Sequence, residues 1–139
     1  MECYVPWSYA VDLPVHVRSA SQARHFVAEH LDQHDLSYLT DDVQLVVSEL
    51  ATNALVHAET PFTVSLEALE KSVLLMVEDG STGGPAQGDP QFREVGGRGL
   101  MIVQVLSRDW GVTSYRGESK SVWAAFAAAE SVANLPSVR

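Results

Sequence analysis

Residues 62–79, FTVSLEALEKSVLLMVED, constrain the fold more than any other stretch of the sequence. Apolar residues alternate with polar or small ones in the first half of this stretch, as in a strand that is covered on one face. Glu70 and Lys71 separate that run from a second and more apolar one. The pattern predicts a hairpin whose second strand is the more deeply buried of the two.

The segments on either side of this hairpin predict two helices before it and one after it. Apolar residues recur at helical spacing in residues 19–34 and 40–58, and Ser19, Ser21 or Thr40 can cap these helices. Residues 4–17, which contain two prolines, suit an edge strand. Residues 98–108 predict a third helix, and a second hairpin with its turn near Gly117 follows. The predicted elements are therefore, in chain order, strand, helix, helix, hairpin, loop, helix and hairpin. This order predicts an α/β (α+β) two-layer sandwich, with a mostly antiparallel mixed sheet and helices on one face.

The length of 139 residues fits a single domain, residues 1–139, with a core over about 15–128 and a flexible C-terminal tail. The lone Cys3 forms no internal disulfide, and neither a signal-peptide pattern nor an apolar run of membrane-spanning length is present. We therefore expect a cytoplasmic protein that does not contact a membrane. The net charge of −9 disfavours direct nucleic-acid binding, but it permits one small anionic ligand held by a few local donors.

A row of polar residues lies on the helix predicted for residues 40–58. Glu49, Asn53 and His57 follow one another at intervals of four, so they form one stripe on the helix surface. Apolar residues flank the row, which places it at the edge of the core. Polar groups are costly there unless something binds them, so the row indicates a binding site. His57 can equally be a structural residue that forms hydrogen bonds near the helix end.

Two further polar groups fall at the ends of predicted elements. Asp79 ends the buried strand of the first hairpin, and its carboxylate can either cap a turn or accept a hydrogen bond from an amine of a ligand. Residues 80–97 contain six glycines and two prolines, which predicts a mobile and functional loop. Gly97 and Gly99 bracket Arg98 at the start of the third helix, where free N–H groups favour phosphate.

In this order and at these spacings, the three groups resemble the N box and the two glycine-containing boxes of the GHKL ATPase superfamily, whose fold is the Bergerat fold. Within it, ELATNALVHA and the closing WGVTSYRGESKSVWAAF are similar to the bacterial anti-sigma-factor serine/threonine kinases, especially the actinobacterial ones. The resemblance extends from about Val15 to Phe126.

The resemblance implies a role for each motif residue. Asn53 would be a Mg²⁺ ligand, and Glu49 would be the general base that accepts a proton from the attacking hydroxyl. Asp79 would bind the adenine of ATP together with Gly83. Ser81 departs from the family pattern, since a glycine is usual at its position. Gly97, Arg98 and Gly99 are implied to hold the ATP phosphates. Lys120 and Ser121 open the last predicted strand, where they can add a cation and a hydroxyl near the phosphates; Lys120 can equally be a solvated residue at a strand end.

The function implied is that of an ATP- and Mg²⁺-dependent anti-sigma factor. It would sequester a sigma factor and phosphorylate a serine or threonine of an anti-sigma-factor antagonist, a STAS-domain protein, in a partner-switching system. The family also implies a possible homodimer. Ser81 and the short glycine loop also fit an alternative interpretation, in which the chain is a non-catalytic GHKL module that binds its partner but has little or no affinity for ATP.

Two other kinds of protein fit the sequence less well. The catalytic domain of a sensor histidine kinase would need room for a helix pair that dimerises and carries the phosphoacceptor. A flavodoxin-like receiver domain alternates strands and helices, whereas residues 62–79 predict a hairpin.

Overall fold

The computed structural model describes residues 6–80, 101–114 and 119–128, with the side chains of His57 and Ser114 excepted. Its five strands are β1 (Ser8–Leu13), β2 (Phe62–Leu69), β3 (Ser72–Asp79), β4 (Asp109–Ser114) and β5 (Lys120–Ala127). They form one sheet in the order β1-β2-β3-β5-β4, and all four pairings are antiparallel. The predicted first hairpin is β2–β3, and its second strand is the centre of the sheet.

The described helices are α1 (Ser19–Gln33), a 3₁₀ turn (Ser37–Leu39), α2 (Thr40–Asn53) and α3 (residues 101–106). In α2, Val43, Val46, Val47 and Leu50 are buried, which is the helical spacing expected for one apolar side. Polar contacts also join the first two helices, since Arg24 donates a hydrogen bond to Ser48 and Gln44 donates one to the Arg24 carbonyl.

The register of the strands sorts their side chains onto two faces. Val64, Val77 and Val122 are in register on neighbouring strands, and all three belong to the core that includes the buried residues of α1 and α2. The residues between them on each strand point to the opposite face, which is half-buried to exposed at most positions. The described helices therefore pack on one face of an antiparallel sheet, and the predicted two-layer α+β fold is confirmed.

Two local predictions differ from the structure. The prediction of one α-helix over residues 40–58 is wrong at its end, because a π-helical turn (Ala54–Ala58) follows α2. Neither Ser19 nor Thr40 caps its helix: both are first residues of helices that lack a side-chain cap, and the Ser19 hydroxyl donates to the Pro14 carbonyl at 2.7 Å instead. Each helix begins directly after a turn, at residues 17–18 for α1 and at the 3₁₀ turn for α2, and neither start has a capping side chain.

Candidate nucleotide site

A buried carboxylate lies where β3 ends. Asp79 is only 5% exposed, and it lies on the face of the sheet that the helices cover. Lys120, the first residue of β5, is in register with Asp79, and its Nζ lies 3.9 Å from the carboxylate Oδ2. A buried carboxylate loses its hydration, and this loss costs free energy unless polar or charged groups interact with the carboxylate. The end of β3 is therefore a polar position at the edge of an apolar core.

The chain after α2 is held against the same strand end. The Gly80 N–H donates a hydrogen bond of 3.0 Å to Thr60 Oγ1, and Thr60 follows the π-helical turn by two residues. α2 also contacts β3 directly. The carboxyl end of this helical segment and the carboxyl end of β3 therefore meet at one edge of the molecule.

Glu49 and Asn53 lie one turn apart on α2, and both side chains are half-buried. Because α2 is α-helical through Asn53, these two side chains share a face as the four-residue spacing predicted. Beyond Asn53 the helix widens, and the Glu59 N–H donates to the Ala54 carbonyl at 2.9 Å, five residues back. π-Helical turns are rare and occur frequently at functional sites.

The structure does not bring all the predicted site residues together. Ser121 follows Lys120 in β5, so it points to the opposite face of the sheet from Lys120 and Asp79. It is 1% exposed, and its Oγ has no hydrogen-bond partner among the described residues. Its contact with phosphate stays a prediction. The remaining predicted residues lie outside the described part of the chain: Gly83, Gly97, Arg98 and Gly99, and the side chain of His57.

Thr60 is the residue of this site that sequence reasoning missed. Pro61 indicates that the preceding helix has ended. Nothing in the sequence, however, predicts the hydrogen bond between Thr60 and Gly80, which is twenty residues later. Trp110 in β4 and Trp123 in β5 are half-buried strand residues.

Residues 13–126 match the family model of the histidine kinase-like ATPase domain. The chain belongs to this family. The match covers α2, the first hairpin and β5, and thus every described element of the candidate site. No curated protein sequence matches the chain significantly.

Among solved structures, this chain is similar to the crystal structure of the RsbU and RsbW domains of Rv1364c from Mycobacterium tuberculosis. The TM-score is 0.64 at 17% identity, over 87% of this chain and 32% of that one. Together with the family match, this likeness in fold confirms the GHKL-type fold. The chain spans about a third of the length of that structure. Within the described residues, no helix is long and apolar enough to cross a membrane.

Proposed function

We propose that this ATPase domain binds Mg-ATP and acts as an anti-sigma factor and protein serine/threonine kinase that phosphorylates an anti-sigma-factor antagonist. The observation that carries the proposal is the buried Asp79 at the end of β3, at the same edge of the molecule as the helix that bears Glu49 and Asn53. The partner-switching role rests on the resemblance of the motifs to anti-sigma kinases. It agrees with the likeness to a structure that contains an RsbW domain.

The residues present fit an adenine nucleotide. A buried carboxylate accepts a hydrogen bond from the exocyclic amine of adenine, whereas guanine offers a carbonyl oxygen at that position. Lys120, at 3.9 Å from Asp79, provides a cation at the same strand end. Asn53 offers a neutral amide oxygen of the kind that Mg²⁺ accepts alongside phosphates and waters. Bound magnesium would neutralise phosphate charge.

Transfer requires a hydroxyl nucleophile and a base. In the proposed reaction the substrate hydroxyl oxygen forms a bond to the γ-phosphorus, the bond between that phosphorus and the β,γ-bridging oxygen breaks, and ADP leaves. Glu49 accepts the hydroxyl proton. Glu49 is half-buried one helical turn before Asn53, so the two side chains share a helix face without being adjacent in sequence. This arrangement supports Glu49 as the base and Asn53 as the magnesium ligand.

Calorimetric titration with ATP and magnesium tests the nucleotide site. Asp79→Asn should weaken ATP binding by roughly 10- to 150-fold, which corresponds to about 1.5–3 kcal/mol for a hydrogen bond to a charged group. Asp12→Asn, an exposed carboxylate on β1, is the matched control and should bind like the wild type. Equal ATP and GTP affinities, or an unchanged affinity in Asp79→Asn, would remove Asp79 from the site.

A transfer assay from γ-labelled ATP to a cognate antagonist tests the kinase. Asn53→Ala should lose magnesium-dependent ATP binding, while Glu49→Ala should bind ATP and lose transfer; Glu67→Ala, an exposed carboxylate on β2, is the control. Equal loss of ATP affinity in the Glu49 and Asn53 variants would contradict the two roles. Sigma-factor binding without transfer by the wild type would instead favour the non-catalytic module.

A further inference from the structure

A pocket lies at the end of the sheet opposite to Asp79. It has a volume of about 300 Å³, and Leu39, Leu106 and Phe126 contribute its apolar lining while Asp42 and Arg108 contribute its charges. β5 runs from Lys120, beside Asp79, to Phe126 in this pocket. Phe126 is six positions after Lys120 on this strand, or about 20 Å away at the usual rise per residue. The pocket is therefore separate from the candidate nucleotide site.

The lining combines an apolar floor with two opposite charges. Phe126 is 3% exposed and Leu39 is 9% exposed, so they form the floor. Asp42 comes from the first turn of α2, and Arg108 comes from the connection between α3 and β4. Both charged residues are exposed, and neither forms an ion pair with another described residue. The pocket thus offers one negative and one positive group to a ligand.

The surroundings of the pocket indicate a polypeptide rather than a metabolite. Leu45 is 47% exposed one turn after Asp42, and Met101 and Val105 on α3 are 58% and 72% exposed. Exposed large apolar residues on the helices that contribute to a pocket are typical of protein interaction surfaces. A volume of about 300 Å³ is at the lower end of small-molecule sites, and it suits one or two inserted side chains.

We propose that this pocket docks a segment of a partner polypeptide in which an aliphatic side chain is flanked by a basic and an acidic residue. The aliphatic side chain covers Leu39, Leu106 and Phe126. The basic residue pairs with Asp42, and the acidic residue pairs with Arg108. Charge complementarity selects this occupant over a purely apolar one, because two unpaired charges at the rim would lose hydration without compensation under an apolar ligand. The proposal does not depend on ATP binding.

Panning of a random dodecapeptide phage library on the purified chain tests this proposal. Enriched peptides should share the basic, aliphatic and acidic pattern. Synthetic copies should lose at least tenfold in affinity, measured by fluorescence anisotropy, for Asp42→Lys and for Arg108→Glu. Asp41→Lys and Arg18→Glu, which change exposed residues outside the pocket, are matched controls and should bind like the wild type.

Each contrary outcome overturns the proposal. Failure to enrich any peptide, or enrichment of peptides that bind the pocket variants and the wild type equally, shows that the pocket does not dock a polypeptide of this chemistry. Self-association in sedimentation experiments that Arg108→Glu abolishes would assign the pocket to a second copy of the chain instead. Circular dichroism confirms folding of each variant. ATP titration of the same variants distinguishes a failure of the docking proposal from a failure of the proposed nucleotide site, because the pocket variants should bind ATP like the wild type.

Discussion

Gly111 in β4 is a position where a single added methyl group should destabilise the sheet. Gly111 is directly opposite Trp123 of β5. A Cβ built on Gly111 would lie 2.7 Å from Trp123 Cζ2 and 2.8 Å from both Cε2 and Nε1. These are ring atoms of a rigid side chain, so the whole indole must rotate away to accept the methyl group.

The size of the effect follows from two opposing contributions. Overpacking of this kind costs about 1–3 kcal/mol. Replacing glycine by alanine within a regular element gains about 0.5–1 kcal/mol when nothing obstructs the new group. We therefore expect Gly111→Ala to lower the free energy of unfolding by roughly 1–2 kcal/mol, and the melting temperature by about 3–10 °C for a domain of this size.

Urea denaturation of a double-mutant cycle tests this explanation. In a Trp123→Ala background the obstruction is absent, so Gly111→Ala should be neutral or stabilising by up to about 1 kcal/mol. The change of sign between the two backgrounds is the diagnostic result. An equal loss of stability in both backgrounds would refute the steric explanation and attribute the effect of Gly111 to its backbone.

Three further predictions test the packing and the hydrogen bonds of the fold, each by urea denaturation. Leu66→Ala in β2 should cost about 2–5 kcal/mol because Leu66 is fully buried. Leu69→Ala in the same strand, where the side chain is 38% exposed, should cost clearly less, and equal costs would contradict the assignment of faces. Thr60→Val should cost about 1 kcal/mol by removing the acceptor of the Gly80 N–H, whereas Thr60→Ser should retain it. Tyr9→Phe should cost a similar amount because it removes the 2.8 Å hydrogen bond to His34 Nε2 but keeps the ring stacked on His30; an unchanged stability would show that this bond contributes nothing net.

Much of the sheet could be predicted because it depends on a local pattern. Alternation over residues 62–79 identifies the two strands, their turn and the buried face, and Asp79 is on that face because it continues the series of Val73, Leu75 and Val77. The same alternation also shows that Lys120 and Ser121 cannot both face Asp79. The sequence reasoning assigned both residues to phosphate binding and did not apply the two-residue period to this pair.

The π-helical turn and the Thr60–Gly80 hydrogen bond could not be predicted because they depend on tertiary contacts. Residues 54–58 continue a helical pattern, and no glycine or proline within them marks a change in the backbone. The chain then turns at Glu59, whose φ of 55° is in the left-handed region, and Thr60 reaches the end of β3. Such a bond joins residues that are distant in sequence, so only the assembled sheet reveals it.

The pair formed by Asp79 and Lys120 is better explained by a ligand than by stability. A buried ion pair gains little or nothing over two apolar residues of similar size, because desolvation offsets the attraction between the charges. The neighbouring registered pairs show the apolar alternative, since Val77 faces Val122 and Leu75 faces Ala124 on the same two strands. Only the pair at the strand end breaks this series, and it does so at the edge where the helix that bears Glu49 and Asn53 ends. A fold that needed only a core would continue the apolar series to Asp79, so the charged pair at that position supports a site that binds a polar ligand.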